Sequence, residues 1–278
     1  MTGGGLRTLI AVLLAGAAAS GMQSRSSEVR DNKTLDEILE VHARDGYVSY
    51  RALKTERNRL DAYVASLAGA SLDSAMPAQQ ISFWLNAYNA LVLQTVVDHY
   101  PIAQRTNEYP PRSIRQIPGA FERLQHRIAG KSVTLDQIEQ TFLAAFHDPR
   151  VFLALGRGAA GSGRLRSEAY ASDALERQLS EVASDCVNRA QCFQLDPIQN
   201  RVLISSIFSW RRTDFIDAYA GAAPEEFKAR SPIELAVIAF MSPRMLASER
   251  QVLSRNTFKV DYLPFDWSLN DLSTRGAR

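Results

Sequence analysis

Ser162, flanked by Gly161 and Gly163, is the side chain best placed by type to attack a carbonyl, and Arg157, Arg164 and Arg166 surround it with planar guanidinium forks suited to carboxylate or phosphate. A serine needs a base to become a nucleophile, and His147 is the nearest histidine along the chain. The nucleophile-elbow pattern would place glycines two positions either side of the serine, where this sequence has Ala160 and Arg164. The same stretch spells G-x-G-x-x-G at Gly156, Gly158 and Gly161. A dinucleotide site would need a helix opening at those glycines, then a second strand ending in an acid about 20 residues on. Here the next periodic segment is helical from Ser172 and Glu176 lies inside it. The glycines instead predict a loop of irregular backbone whose amides could face an anion, and no cofactor is expected. Further back, Asn86 and Asn89 are three apart and share a helix face among Phe83, Trp84, Leu85 and Tyr88. Amides in such surroundings either bond the backbone of neighbouring segments or line a pocket.

The elements that must position these groups follow a leader-like start. One basic residue, Arg7, precedes an apolar run from Leu9 to Ala19 that ends in small residues, the layout of a secretory signal peptide cleaved after Ala19. That run is shorter than the roughly 20 apolar residues a membrane span requires, and no membrane span is expected in the mature chain. The reading is a periplasmic or secreted protein with a signal peptide over 1–19, a flexible segment over 20–33 and one domain over 34–278. Cys186 and Cys192 are the only cysteines. Near neighbours in an exported chain, they are expected to form a disulfide. No metal is expected, because His42, His99, His126 and His147 lie far apart with no pair at helical spacing.

At 278 residues, 46% apolar and 22% charged, the chain can bury about three-quarters of its unfolded surface in one core without a metal staple. A formal net charge of +2 gives nucleic acid little purchase, even though 27 of the 32 basic residues are Arg. Thr34 and Glu37 form a capping-box pattern before Leu35, Ile38 and Leu39, and a second helix carries Leu60, Val64 and Leu67. Pro77 opens a third, apolar almost all round and stopped at Pro101, so it is expected to be buried on most faces. Residues 102–133 read as an irregular connection. Leu135, Ile138, Phe142 and Ala145 repeat at helical spacing, VFLAL over 151–155 reads as a buried strand, and CFQLD and RVLIS flank a turn as hairpin strands. Ser231, Pro232 and Glu234 open another helix, and FKVDYLPFDWSL closes the chain as a strand and an aromatic tail. Helices first and short strands later predict an α+β single domain, helix-rich with a small, mostly antiparallel sheet.

The run FWLNAYNALVLQTVVDHYP resembles the signature helix of the family known as domain of unknown function 547, and GYVSYRAL, SIRQIPGAF, TLDQIEQTFL, DPRVFLAL, LRSEAYASDALERQL, ISSIFSWRRTDF and VDYLPFDWSLND follow that family's order. The resemblance implies a Cys, His and Glu set similar to papain-like and transglutaminase-like sites, with His after the Ile-Glu pair, another His shortly after Asp-Pro-Arg, and two Cys in the glycine loop. The matching positions here are Gln140, Phe152, Arg157 and Ser162; of the set, only Glu139 is kept.

Arg157 cannot form a thiolate and Gln140 cannot take a proton, so thiol catalysis at those positions is expected to be absent. Two readings follow. In one, a degenerate, non-catalytic protein binds a small molecule or a partner protein through the Arg-rich glycine loop, with Asn86, Asn89, Arg157, Arg164 and Arg166 as contacts. In the other, Ser162 is a rebuilt nucleophile of a hydrolase or acyltransferase, with His147 as base and Glu139 beside the base position. His147 is seven residues beyond Gln140 and shares its face if the helix continues.

Overall fold

A computed structural model describes residues 32–274. The expected leader and most of the 20–33 segment lie outside the described residues. Helix is already formed at residue 32 and runs to 42, so Thr34 sits within it and not at its cap. Asp45 and Gly46, both at positive φ, turn the chain between the two-residue strands Ala43–Arg44 and Tyr47–Val48. Helices Tyr50–Thr55 and Asn58–Leu67 then lead to the long helix Pro77–His99.

That helix is the axis of the fold. Pro77 occupies its first turn, where a missing N–H costs no intrahelical bond. Leu85, Tyr88, Leu91 and Val96 are fully buried, and Trp84 stacks on Phe142 at 4.2 Å between ring centroids. A residue such as Leu91, with no solvent exposure, contributes about 1.5–3 kcal/mol by its burial. One continuous hydrophobic cluster runs from Leu35 to Leu269, and no second core separates from it among the described residues.

Within the 102–133 connection the chain forms a 3-10 turn at Ile114–Gln116 and a hairpin of His126–Ile128 with Lys131–Val133, joined through Ala129 and Gly130 at positive φ. Strand alternation over three residues is too short to show as a pattern in sequence. The expected helix from Leu135 begins as such under a Thr134–Gln137 capping box, widens into a π-helical turn over Ile138–Leu143, tightens to 3-10 at Ala144–Phe146 and stops. VFLAL is not a strand: Arg150–Leu153 is a helical turn, its apolar run explained by burial on all sides. A short apolar run does not distinguish a buried strand from a buried helix. After the glycine loop comes the helix Leu175–Val187, whose last residues carry the disulfide Cys186–Cys192.

The hairpin Phe193–Asp196 and Arg201–Ser205 is antiparallel, with Phe193 opposite Ile204. The late strand Lys259–Leu263 joins it in parallel beside Arg201–Ser205, after helices Ser206–Trp210, Arg212–Tyr219, Pro232–Met241 and Ala247–Ser254. Ser231, Pro232 and Glu234 open a helix as expected, with Ser231 and Glu234 closing a capping box. The architecture is helix-rich α+β with two- and three-stranded sheets, antiparallel apart from that last pairing. Among the described residues no helix is long and apolar enough to cross a membrane.

Candidate functional site

The glycine loop is set by the central helix. Asn86 Nδ2 donates to the Tyr170 carbonyl at 2.9 Å while its Oδ1 accepts the Tyr170 amide at 2.8 Å. One turn on, Asn89 Oδ1 accepts the Gly156 amide at 2.8 Å and Nδ2 donates to the Ala154 carbonyl at 3.3 Å. The two amides thus hold the start and end of the loop, the backbone-bonding alternative, and Asn86 also borders a cavity beside Phe83. Between these anchors the loop is packed tightly. A Cβ on Gly163 would lie 1.6 Å from the Leu153 carbonyl oxygen, and one on Gly161 would lie 2.6 Å from the Asp266 nitrogen. The Gly156, Arg157, Ala160, Gly161 and Ser162 amides all donate within the protein, the middle pair of acceptors being Ser268 and Asp266 carbonyls of the C-terminal tail. These amides bind the protein's own oxygens.

Arg157 points inward from this loop. Its Nη2 donates to Glu139 Oε1 at 2.7 Å and its Nη1 to the Phe152 carbonyl at 3.1 Å, with the two charged side chains only 3% and 8% exposed. Burial, the largest single influence, weakens the guanidinium's hold on its proton; the charge and hydrogen bond of Glu139 together with Tyr88 and Asp136 outweigh it, so the Arg157 pKa is raised. The Tyr88 hydroxyl is buried next to the pair without a hydrogen bond, and its pKa is raised by desolvation and by the Glu139 charge.

Gln140 faces the other way along the π-helical turn and accepts from Arg211 Nη1. Arg211 lies over the Phe152 ring at 3.7 Å and donates to Asp214 at 3.1 Å. Ser162 Oγ accepts the Arg157 amide at 3.0 Å. Glu139, Gln140, Phe152, Arg157 and Ser162 are therefore one connected cluster, although they span 24 positions of the chain. The π-helical turn spreads Glu139 and Gln140 to two different arginines, an arrangement that widened turns often serve at functional sites.

His147 is not in this cluster. The helix ends at Phe146, so the continuation that would put His147 on the Gln140 face does not occur; His147 takes a left-handed conformation, φ 55°, with an exposed side chain. No hydrogen bond joins it to Ser162 among the described residues. The other two arginines are also engaged. Arg166 Nη2 bonds Glu181 at 2.7 Å and Glu168, while Arg164, 42% exposed, lies 3.5 Å from Asp45 and 3.6 Å from Asp185. The groove between them has four carboxylates, from Asp45, Glu168, Glu181 and Asp185, against two guanidiniums.

Residues 72–187 match the family model described as Protein of unknown function, DUF547. The resemblance to DUF547 holds over that segment. It takes in the central helix, the asparagine pair and all five clustered positions; GYVSYRAL lies before it, and ISSIFSWRRTDF and VDYLPFDWSLND after it. No curated protein and no solved structure matches the chain. Relative to the thiol and histidine pattern that the DUF547 resemblance implies, this chain has a guanidinium, a carboxamide, a phenyl ring and a hydroxyl. Arg211, outside the matched segment, was not legible as a partner of the site from sequence. The only local sign was its spacing of three from Asp214, which gives an ion pair on one helix face.

Proposed function

We propose that this chain is an exported, non-catalytic protein that works by binding, a degenerate relative within the DUF547 pattern. The observation that carries the reading is the buried Glu139–Arg157 ion pair. A guanidinium stands where a thiol would have to ionise, and it satisfies the one acid of the set that is kept. Arginine holds its proton throughout the accessible pH range, so it offers neither nucleophile nor base. The Cys186–Cys192 bridge supports export, since such bonds persist in oxidising compartments.

Within the glycine loop the binding role falls to Arg164. Arg157 and Arg166 are held by short contacts to carboxylates, whereas Arg164 is half-exposed on long contacts to Asp45 and Asp185, which leave its N–H groups open to a neutral hydrogen-bond acceptor of a ligand or partner. The serine-nucleophile reading has less behind it: no base is hydrogen-bonded to the Ser162 hydroxyl among the described residues, and His147 is turned away at the end of its helix.

The test is turnover of p-nitrophenyl esters, a thioester and a fluorogenic peptide by the purified exported chain and by Ser162→Ala. The reading expects rates at the buffer background for both. Hydrolysis above background that disappears in Ser162→Ala would overturn it.

A further inference from the structure

We infer that the cavity between the helix Asn58–Leu67 and the N-terminal half of the central helix is a binding site for a neutral, polyhydroxylated ligand of mono- or disaccharide size. Its volume of about 560 Å³ falls within the range of small-molecule sites. It is lined by none of Glu139, Gln140, Phe152, Arg157 or Ser162, so the inference goes beyond the proposal above and does not depend on it.

Three features identify the ligand class. First, in a chain with 22% charged residues, the described residues lining this cavity include no Asp, Glu, Lys, Arg or His. A charged ligand would lose its hydration there without gaining a counter-charge. Second, hydroxyls crowd the wall: Ser66, Ser71, Ser74 and Ser82 all line it. The exposed Ser66 hydroxyl donates to the helix carbonyl of Tyr63, which leaves its oxygen with acceptor capacity for a ligand hydroxyl, and the buried Ser82 hydroxyl donates to the Ala78 carbonyl. Third, the half-buried Phe83 adds aromatic surface from the central helix, the apolar complement to the C–H face of a sugar ring. Tyr63 and Ser82 are buried, so this part of the wall is preformed.

Gly69 supplies the test. A Cβ added there meets nothing within 4 Å and its φ is not in the left-handed region, so a large side chain is tolerated at this edge of the cavity without straining the fold. Glucose, maltose and N-acetylglucosamine are titrated into the full exported chain by saturation-transfer NMR and calorimetry, with glucuronate and glucose 6-phosphate as charged counterparts. At least one neutral sugar is expected to bind at roughly millimolar Kd or tighter, with the charged sugars about 10-fold weaker or more. Gly69→Phe and Ser66→Trp are each expected to weaken the neutral sugar by about 10-fold or more, and Gly221→Ala, at an open position that lines no part of this cavity, to leave it unchanged. Absence of binding by all three neutral sugars, equal binding of the charged ones, or binding insensitive to both filling variants would overturn the inference. The turnover assay is read separately, so the two conclusions can fail independently.

Discussion

Removing the negative member of the Glu139–Arg157 pair should cost far more than removing both members. In Glu139→Gln the Arg157 guanidinium keeps its donor bond to the Phe152 carbonyl, a distant aromatic face at 5.9 Å from Trp210 and the field of Asp136, but loses the one ion pair it makes among the described residues while remaining 3% exposed. Breaking a buried pair on one side typically costs about 3–5 kcal/mol, and the surviving carbonyl bond puts this variant near the lower end, about 3 kcal/mol. The double variant Glu139→Leu with Arg157→Met removes both charges and fills similar space, and should lie within about 1 kcal/mol of the parent. Urea unfolding followed by far-UV circular dichroism measures all three proteins, with the linear extrapolation supplying each free energy. Should Glu139→Gln fail to fold, a folded double variant would still carry the argument. A Glu139→Gln loss below about 1 kcal/mol, or a double variant as damaged as the single one, would refute the structural role given to the pair.

Other expectations concern the loop, the disulfide and pH. Gly163→Ala drives a Cβ to 1.6 Å from the Leu153 carbonyl oxygen and should cost about 3 kcal/mol, while Gly221→Ala, with open space around it, should stay within about 0.5 kcal/mol on the same unfolding assay. The Cys186–Cys192 bridge closes a short loop, so the double serine variant should lose about 2 kcal/mol of unfolding free energy; a parent protein that alkylates at two cysteines without prior reduction would contradict the bridge. His42 and His126 have pKa values lowered by burial, each with one ring nitrogen buried and unbonded, so the unfolded chain takes up their protons first. Glu56 beside His42 and Asp98 near His126 only partly offset that burial. Stability from these two groups is therefore complete above their unfolded pKa near 6.5 and declines as pH falls below it. The urea midpoint measured from pH 7.5 to 5.5 should decline more steeply in the parent than in His42→Gln with His126→Gln; equal slopes would remove these residues as the cause.

Much of the scaffold was legible because its signals are local and repeated. Pro77 at a first turn, the nearly unbroken apolar surface up to Val97, the Ser231–Glu234 box and the short apolar run in RVLIS beside a turn each state an element within its own few residues. Elements whose identity depends on distant neighbours were not legible. Arg150–Leu153 is helical among fully buried surroundings that suit a strand equally well, and the three-residue hairpin strands at His126 and Lys131 are too short to alternate visibly. At the site, the resemblance pointed to positions that the fold brings together but not to how they pair. Nothing in the order Glu139, Phe152, Arg157 states that the guanidinium turns inward, because that depends on Asn86 and Asn89 holding the loop ends and on a π-helical turn that no periodicity marks. Arg211 reaches Gln140 across 71 positions of sequence, a contact only the fold defines.

The central claim is that the cluster around Arg157 holds no activated nucleophile, and the most direct measurement is the intact mass of the purified protein with and without a fluorophosphonate probe. The account predicts an unchanged mass for the parent and for Ser162→Ala, each folded by circular dichroism. A probe-sized gain in the parent that disappears in Ser162→Ala would contradict it and make Ser162 a working nucleophile.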